Sequence, residues 1–177
     1  ASEEGKAQIW LLDRRGGGPR QLTDLKSELG GYEWSPDGKR MLLELSASDD
    51  PGKDPVTGKA NAPKPIVTDR YHFKSDIEGY LNYETPQHLY LFDVESKKQE
   101  ALTGEKPEEK GFEEGHAVWS PDGSQIAFVS NHAKEPDQTG TDDIFIVEAR
   151  AGAVPRKLLT TYGPGGQHLV WSPDGTQ

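Results

Sequence analysis

One pentapeptide, Trp-Ser-Pro-Asp-Gly, occurs three times in this chain of 177 residues, and it constrains the fold more than any other feature. Proline presets φ at about −65° for the second position of a turn, aspartate bonds nearby amides, and glycine supplies the positive φ of the return strand. Each copy is therefore predicted to be a hairpin turn whose tryptophan ends the incoming strand and packs between sheets. The residues assigned to this structural repeat are Trp34, Asp37, Gly38, Trp119, Asp122, Gly123, Trp171, Asp174 and Gly175.

Two further elements recur with the turns. A short apolar run that ends in an acidic residue occupies residues 9–13, 89–93 and 144–148. A continuously apolar run is typical of a strand that is covered on both faces. A Leu-Thr pair then closes each unit, at residues 22–23, 102–103 and 159–160.

The order of these elements predicts the fold class. Each unit contains four strands. The Ser-Pro-Asp-Gly turn joins the first strand to the second, a loop leads to the apolar third strand, and a further turn leads to the fourth. Four antiparallel strands of this kind form one blade of a β-propeller. We therefore predict that residues 1–177 are all-β and form a β-propeller fragment with two full and two partial blades. The predicted units are a half blade at 7–23, a blade at 31–103, a blade at 115–160 and the start of another at 166–177. Propellers close with about 4–8 blades, so we expect these residues to form only part of a ring.

The spacing of the tryptophans locates an insertion. Trp119 and Trp171 are 52 residues apart, whereas Trp34 and Trp119 are 85 apart. The additional residues fall between the second and third strands of the 31–103 blade. Residues 46–66 are rich in proline, glycine and charge, which predicts an inserted loop there. A degenerate extra blade is the alternative, but the gap contains no further apolar run that ends in an acid and a Leu-Thr pair.

Composition narrows the function classes. The formal net charge of −10 argues against nucleic acid and against anionic membrane surfaces as partners, since both attract clustered Lys and Arg. There is no cysteine, and no apolar run approaches the roughly 20 residues of a membrane span. We expect no cofactor and no metal. A bacterial source is expected, with periplasmic, secreted and cytoplasmic locations all left open.

The repeat resembles one that is known from two groups of proteins. The pattern at 119–123, 126–130, 143–147 and 159–160 is similar to TolB-type propellers and to the N-terminal propeller of prolyl oligopeptidase-family serine peptidases. Residues 66–81 resemble a segment of the acylaminoacyl-peptidase-like members. This resemblance implies that a C-terminal α/β-hydrolase domain carries a Ser-Asp-His triad. No Gly-x-Ser-x-Gly elbow occurs in the 177 residues, so no catalytic residue is transferred, and enzymatic activity stays open.

One charged strand is a candidate contact site. Arg70, His72, Lys74 and Asp76 alternate with other side chains, which places them on one face of a strand. They are predicted to contact the missing hydrolase domain or to guide a peptide substrate. The alternative is an exposed strand edge that is protected by charge.

Two histidines form a second candidate. His116 and His168 each lie three residues before a repeat tryptophan, so they are expected on adjacent innermost strands. There they could bind a metal or an anion, or they could simply begin a strand. Glu44 stands where the next blade has the apolar Val129, and it is expected at a partly open blade edge.

Two functions from different classes follow. In the first, the chain is the propeller of a serine peptidase that covers the hydrolase site and admits only small peptides. In the second, it is a TolB-type periplasmic propeller that binds proteins without chemistry. Open blade edges also predict self-association, which a stable monomer in sedimentation would contradict.

Overall fold

The structure is a computed structural model that describes residues 6–47, 62, 67, 71, 74–76, 79–80, 85–104, 112–133, 136–162 and 168–177. Within these ranges the chain is all-β except for one helical turn, α1 (Pro136–Thr139), so the predicted fold class is confirmed. The strands are β1 (Trp10–Leu11), β2 (Arg20–Gln21), β3 (Glu28–Trp34), β4 (Arg40–Ser46), β5 (Lys74–Ser75), β6 (Gly79–Tyr80), β7 (His88–Asp93), β8 (Gln99–Ala101), β9 (Glu114–Trp119), β10 (Gln125–Ser130), β11 (Thr141–Glu148) and β12 (Arg156–Tyr162). None of the helical structure in the described ranges has the length and apolarity that a membrane crossing needs.

The strands form two four-stranded antiparallel sheets. The first blade has the order β3-β4-β7-β8, and the second has the order β9-β10-β11-β12. Strands β1 and β2 pair ahead of the first blade and form the leading half blade. Strands β5 and β6 form a separate hairpin between β4 and β7. The loop predicted at 46–66 lies outside the described residues except for 46, 47 and 62.

The three pentapeptide turns share one hydrogen-bonding pattern. In the second blade, Gly123 N donates to Ser120 O at 2.9 Å, and Ser120 Oγ donates to Asp122 Oδ1 at 2.6 Å. The same two bonds recur in the other two turns. Each turn glycine has a positive φ, which a residue with a Cβ adopts only under strain. These angles are 69° at Gly38, 70° at Gly123 and 70° at Gly175.

The turn aspartate makes stability depend on pH. Hydrogen bonds from Ser120 and Ser124 lower the pKa of Asp122 to about 2. A carboxyl whose pKa is depressed by folding stabilises the fold above its unfolded pKa, and this contribution is lost as the pH falls toward 2. We therefore expect Asp122→Asn to melt below wild type at pH 6, with the two melting temperatures converging at pH 2.5. Glu95→Gln, at an exposed turn, is the control. A difference in melting temperature that is as large at pH 2.5 as at pH 6 would contradict a stabilising role for the ionised Asp122.

Apolar side chains from adjacent sheets form two interblade cores. One core joins the two blades, and its residues are Leu42, Leu89, Leu91, Leu102, Ala117, Trp119, Ile126, Phe128, Phe145, Val147, Ala149 and Ala153. The other core joins the leading half blade to the first blade, through Ile9, Leu22, Leu25, Met41, Leu43, Leu45 and Phe92. Alternate residues of β4 thus enter opposite cores. This explains why a strand covered on both faces has a continuous apolar sequence.

The tryptophans of the repeat differ in burial. Trp119 is 5% exposed and belongs to the core between the blades, whereas Trp34 is 38% exposed. The difference follows from position. Trp119 has the whole first blade beside it, but the leading half blade contributes only β1 and β2 next to Trp34.

The threonines of the Leu-Thr pairs anchor strand ends. Thr23 Oγ1 accepts a 2.9 Å hydrogen bond from Ile9 N in the leading half blade. Thr103 Oγ1 accepts an equivalent 2.9 Å bond from Leu89 N in the first blade. Each hydroxyl therefore satisfies a buried amide at the start of the apolar strand, which accounts for threonine at this position.

Candidate functional site

The charged strand predicted at 70–76 is only partly described. Arg70 and His72 lie outside the described residues. Lys74 and Asp76 are exposed, and Lys74 pairs with Tyr80 in the β5–β6 hairpin. The hairpin is a sheet of its own, separate from both blades. The proposed contact with a hydrolase domain or a peptide therefore stays a prediction.

A second region brings ionisable side chains together. A cavity of about 290 Å³ lies between β3, β9 and the segment before the third turn. We call it the inner cleft, because β3 and β9 are the first strands of their blades and so face the propeller axis. The acidic and imidazole side chains in its lining are those of Glu33, Glu44, His116 and His168. Both histidines thus line one cavity, and whether they bind a ligand there or only begin a strand stays a prediction.

The two glutamates bind the free edge of β9. Trp119 N donates to Glu33 Oε2 at 3.2 Å, and Ala117 N donates to Glu44 Oε1 at 3.1 Å. Strand β9 is the last strand of its sheet, so these amides have no ladder partner. The carboxylates of the first blade therefore satisfy alternate backbone donors of the second blade.

Glu44 is not at an open blade edge, so that expectation was wrong. It lies on β4, between β3 and β7 in the sheet. Its second oxygen, Oε2, accepts a 3.1 Å bond from Gln87 Nε2, which also donates to Glu114 O at 3.0 Å. A carboxylate suits this central position because both of its oxygens bind donors at the boundary between blades.

The charge of Glu33 is disfavoured by its surroundings. Burial raises the pKa of Glu33, and the negative charge of Glu44 raises it further, while the hydrogen bond from Trp119 N opposes both effects. Two like charges that share one cleft repel each other. A positive group between them would relieve this repulsion.

His116 has an unusual backbone conformation. Its φ is 51°, and it lies where the pairing of β9 with β10 shifts register, as in a β-bulge. The pairing of β3 with β4 shifts at the corresponding place, between Leu29 and Gly31. Positive φ is uncommon outside glycine, and strained residues of this kind cluster at functional sites. Across the described ranges, no three His, Asp or Glu side chains are arranged to hold a metal ion.

A buried polar network joins the blades near the cleft. Glu114 is 2% exposed, and its Oε2 is hydrogen-bonded to His88 Nδ1 and accepts a bond from Thr103 Oγ1 at 3.2 Å. Gly104 packs so closely on the His88 ring that a Cβ there would lie 2.5 Å from it. Sequence reasoning missed this network, although the Leu-Thr repeat already marked Thr103.

Arg40 is a second interblade contact that the sequence did not reveal. It lies at the start of β4 and donates to Ala149 O at 2.6 Å and to Gly123 O at 3.1 Å. Its guanidinium carbon lies 4.9 Å from the centre of the Trp119 ring. One side chain of the first blade thus contacts a turn, a strand end and an aromatic ring of the second.

Two four-stranded antiparallel sheets that pack face to face, with a half blade ahead of them, define the chain as a β-propeller fragment. It is 27% identical over 146 residues to the uncharacterized peptidase YuxL of Bacillus subtilis (strain 168), a match that covers 82% of this chain and 21% of that protein. The chain therefore spans about a fifth of the length of this curated relative. The predicted resemblance to peptidase-family propellers is confirmed. No family model matches the chain.

Two solved structures are among those similar to this chain. A protein from Bacteroides ovatus ATCC 8483 assigned as a dipeptidyl aminopeptidase IV superposes with a TM-score of 0.52 at 15% identity, over 87% of this chain and 23% of that one. A protein from Agrobacterium tumefaciens assigned as TolB gives a TM-score of 0.41 at 23% identity, over 98% of this chain and 65% of that one.

Proposed function

We propose that this chain is the non-catalytic propeller portion of a serine peptidase of the acylaminoacyl-peptidase or prolyl oligopeptidase type. The similarity to the peptidase YuxL over most of the chain carries this proposal. The chain has no Gly-x-Ser-x-Gly elbow, so a separate α/β-hydrolase domain would supply the nucleophile. The TolB-type binding propeller is the competing function.

The proposed role is to gate access to that domain. Apolar cores join the adjacent blades of this chain. A complete ring of blades joined in this way would form a wall that does not open for folded proteins. Short, extended peptides would pass, and the water-excluded space behind the wall would favour the chemistry. Arg70, His72, Lys74 and Asp76 would contact the hydrolase domain or the entering peptide.

Activity-based labelling tests the peptidase proposal. The full-length protein that contains this chain is incubated with a fluorophosphonate probe and compared with a sample inactivated by heat. Labelling of the native sample alone is expected, because the probe reacts with an activated serine. No labelling would contradict the peptidase proposal and favour the TolB-type alternative.

Substrate length tests the gating role separately. A sample of the full-length protein that has not been treated with the probe is given peptides of about 5, 15 and 40 residues that contain one common cleavage sequence. Hydrolysis is expected to fall at least tenfold at the greatest length, because long chains enter a covered site poorly. Equal rates at all three lengths would contradict gating while leaving the peptidase proposal intact.

A further inference from the structure

We propose that the inner cleft binds an organic cation, the ammonium or guanidinium group of a basic peptide side chain. This goes beyond the proposed function, because it gives the propeller a ligand site of its own. The site is built from Glu33 and Glu44 of the first blade and from His116 and His168.

The geometry provides acceptors for a cation. Glu33 is half-buried, and only its Oε2 accepts a hydrogen bond from the residues that the structure describes. Its Oε1 keeps full accepting capacity, and a neutral imidazole adds one acceptor nitrogen. Alkylammonium and guanidinium groups carry several N–H donors and no acceptor, so they match this lining.

The negative charges that line the cleft favour a positively charged ligand. Two carboxylates line the cleft, and their mutual repulsion contributes to the raised pKa of Glu33. An anion would add to this repulsion, whereas a cation would remove it. Among the described residues that line the cavity there is no lysine or arginine, so no permanent positive charge of this lining neutralises the pair.

The remaining walls favour a cation on an apolar stem over a bare ion. Leu42, Ala117, Val118 and Leu169 also line the cleft. Lysine and arginine side chains carry a hydrophobic stem that packs on such a surface while the charged end reaches polar groups. The volume of about 290 Å³ is near the lower limit of small-molecule sites and suits one side chain.

A titration of the whole chain with paired probes tests this site. The probes are N-acetyl-arginine amide and its neutral isostere N-acetyl-citrulline amide, and the readout is the NMR shifts of the imidazole C–H groups. We expect the arginine compound to bind at least tenfold more tightly and to shift the His116 and His168 signals. Equal binding of the two compounds, or shifts confined to other histidines, would overturn the proposal.

A double variant tests whether the two glutamates bind the cation. Glu33→Gln combined with Glu44→Gln keeps amide oxygens for the backbone donors, and it is expected to weaken arginine binding at least tenfold. Glu148→Gln, an exposed residue outside the cleft, is the matched control and should bind as wild type does. Undiminished binding by the double variant, in a sample that melts cooperatively, would overturn the site.

Two other probes separate the remaining ligands. Alanine amide carries an α-ammonium group without a basic side chain, and weaker binding than that of N-acetyl-lysine amide would support a side-chain ligand. The opposite order would overturn the side-chain assignment. Binding of ZnCl2 at the two histidines, with no arginine binding, would overturn the organic cation in favour of a metal.

Discussion

Phe128→Ala is expected to lower the free energy of unfolding by about 3–5 kcal/mol. Phe128 is 1% exposed at the centre of the core between the two blades, and its ring stacks on Phe145 with centroids 5.5 Å apart. Alanine would leave a cavity that neighbouring strands cannot fill without breaking their own pairing. Urea unfolding followed by tryptophan fluorescence measures the loss.

The control for this prediction lies on the outer strand. Leu158, on β12, is 46% exposed, so Leu158→Ala should cost less than about 1 kcal/mol. Similar losses in the two variants would show that the packing between the blades does not dominate stability.

Arg40→Ala is expected to cost about 2–3 kcal/mol, because it removes two charge-assisted hydrogen bonds and a cation–π contact together. The carbonyls of Ala149 and Gly123 would lose their donors at the boundary between the blades. Arg40→Lys should restore only part of the loss, since an ammonium lacks the planar fork that reaches two carbonyls. The midpoint of urea unfolding measures both variants.

The neighbouring residue controls for charge and position. Lys39 is exposed, so Lys39→Ala removes the same charge without a contact between blades and should change stability by less than about 0.5 kcal/mol. If Arg40→Ala proves as mild as Lys39→Ala, the contacts of Arg40 contribute little.

The sequence predicted the parts of this fold that are encoded locally. The turns follow from a proline, an aspartate and a glycine within five residues, and the strands from their apolar runs. Such signals need only neighbouring residues, so periodicity reveals them. The all-β class and the four-stranded units followed from these signals.

The contacts between blades were not predictable in the same way. Arg40 bonds Gly123 and Ala149, which are 83 and 109 positions away, and Glu44 bonds Ala117, which is 73 away. No spacing rule specifies which polar side chain meets which backbone group across a sheet boundary. Glu44 was therefore misplaced at an edge, and Arg40 was not recognised.

The candidate site was predictable in part. The position of His116 and His168 relative to the tryptophans predicted both on inner strands. His116 lies on β9, whereas His168 lies before the third turn and outside any strand, so that expectation was wrong for His168. Both histidines line the cleft. Their partners were missed, because Glu33 carries no repeat signal and the bulge at His116 is a backbone feature. The charged strand at 70–76 was proposed from alternation alone, which cannot distinguish a contact surface from a solvated one.

The carboxylates of β3 and β4 that accept hydrogen bonds from β9 have a consequence for any extended chain that approaches this edge. An extended chain readily joins an exposed strand edge as an additional strand, through main-chain hydrogen bonds that ignore sequence. Glu33 and Glu44 already occupy the amides of Trp119 and Ala117 that such a guest would need. An extended segment therefore cannot add to this edge as a further strand while the two carboxylates hold these amides.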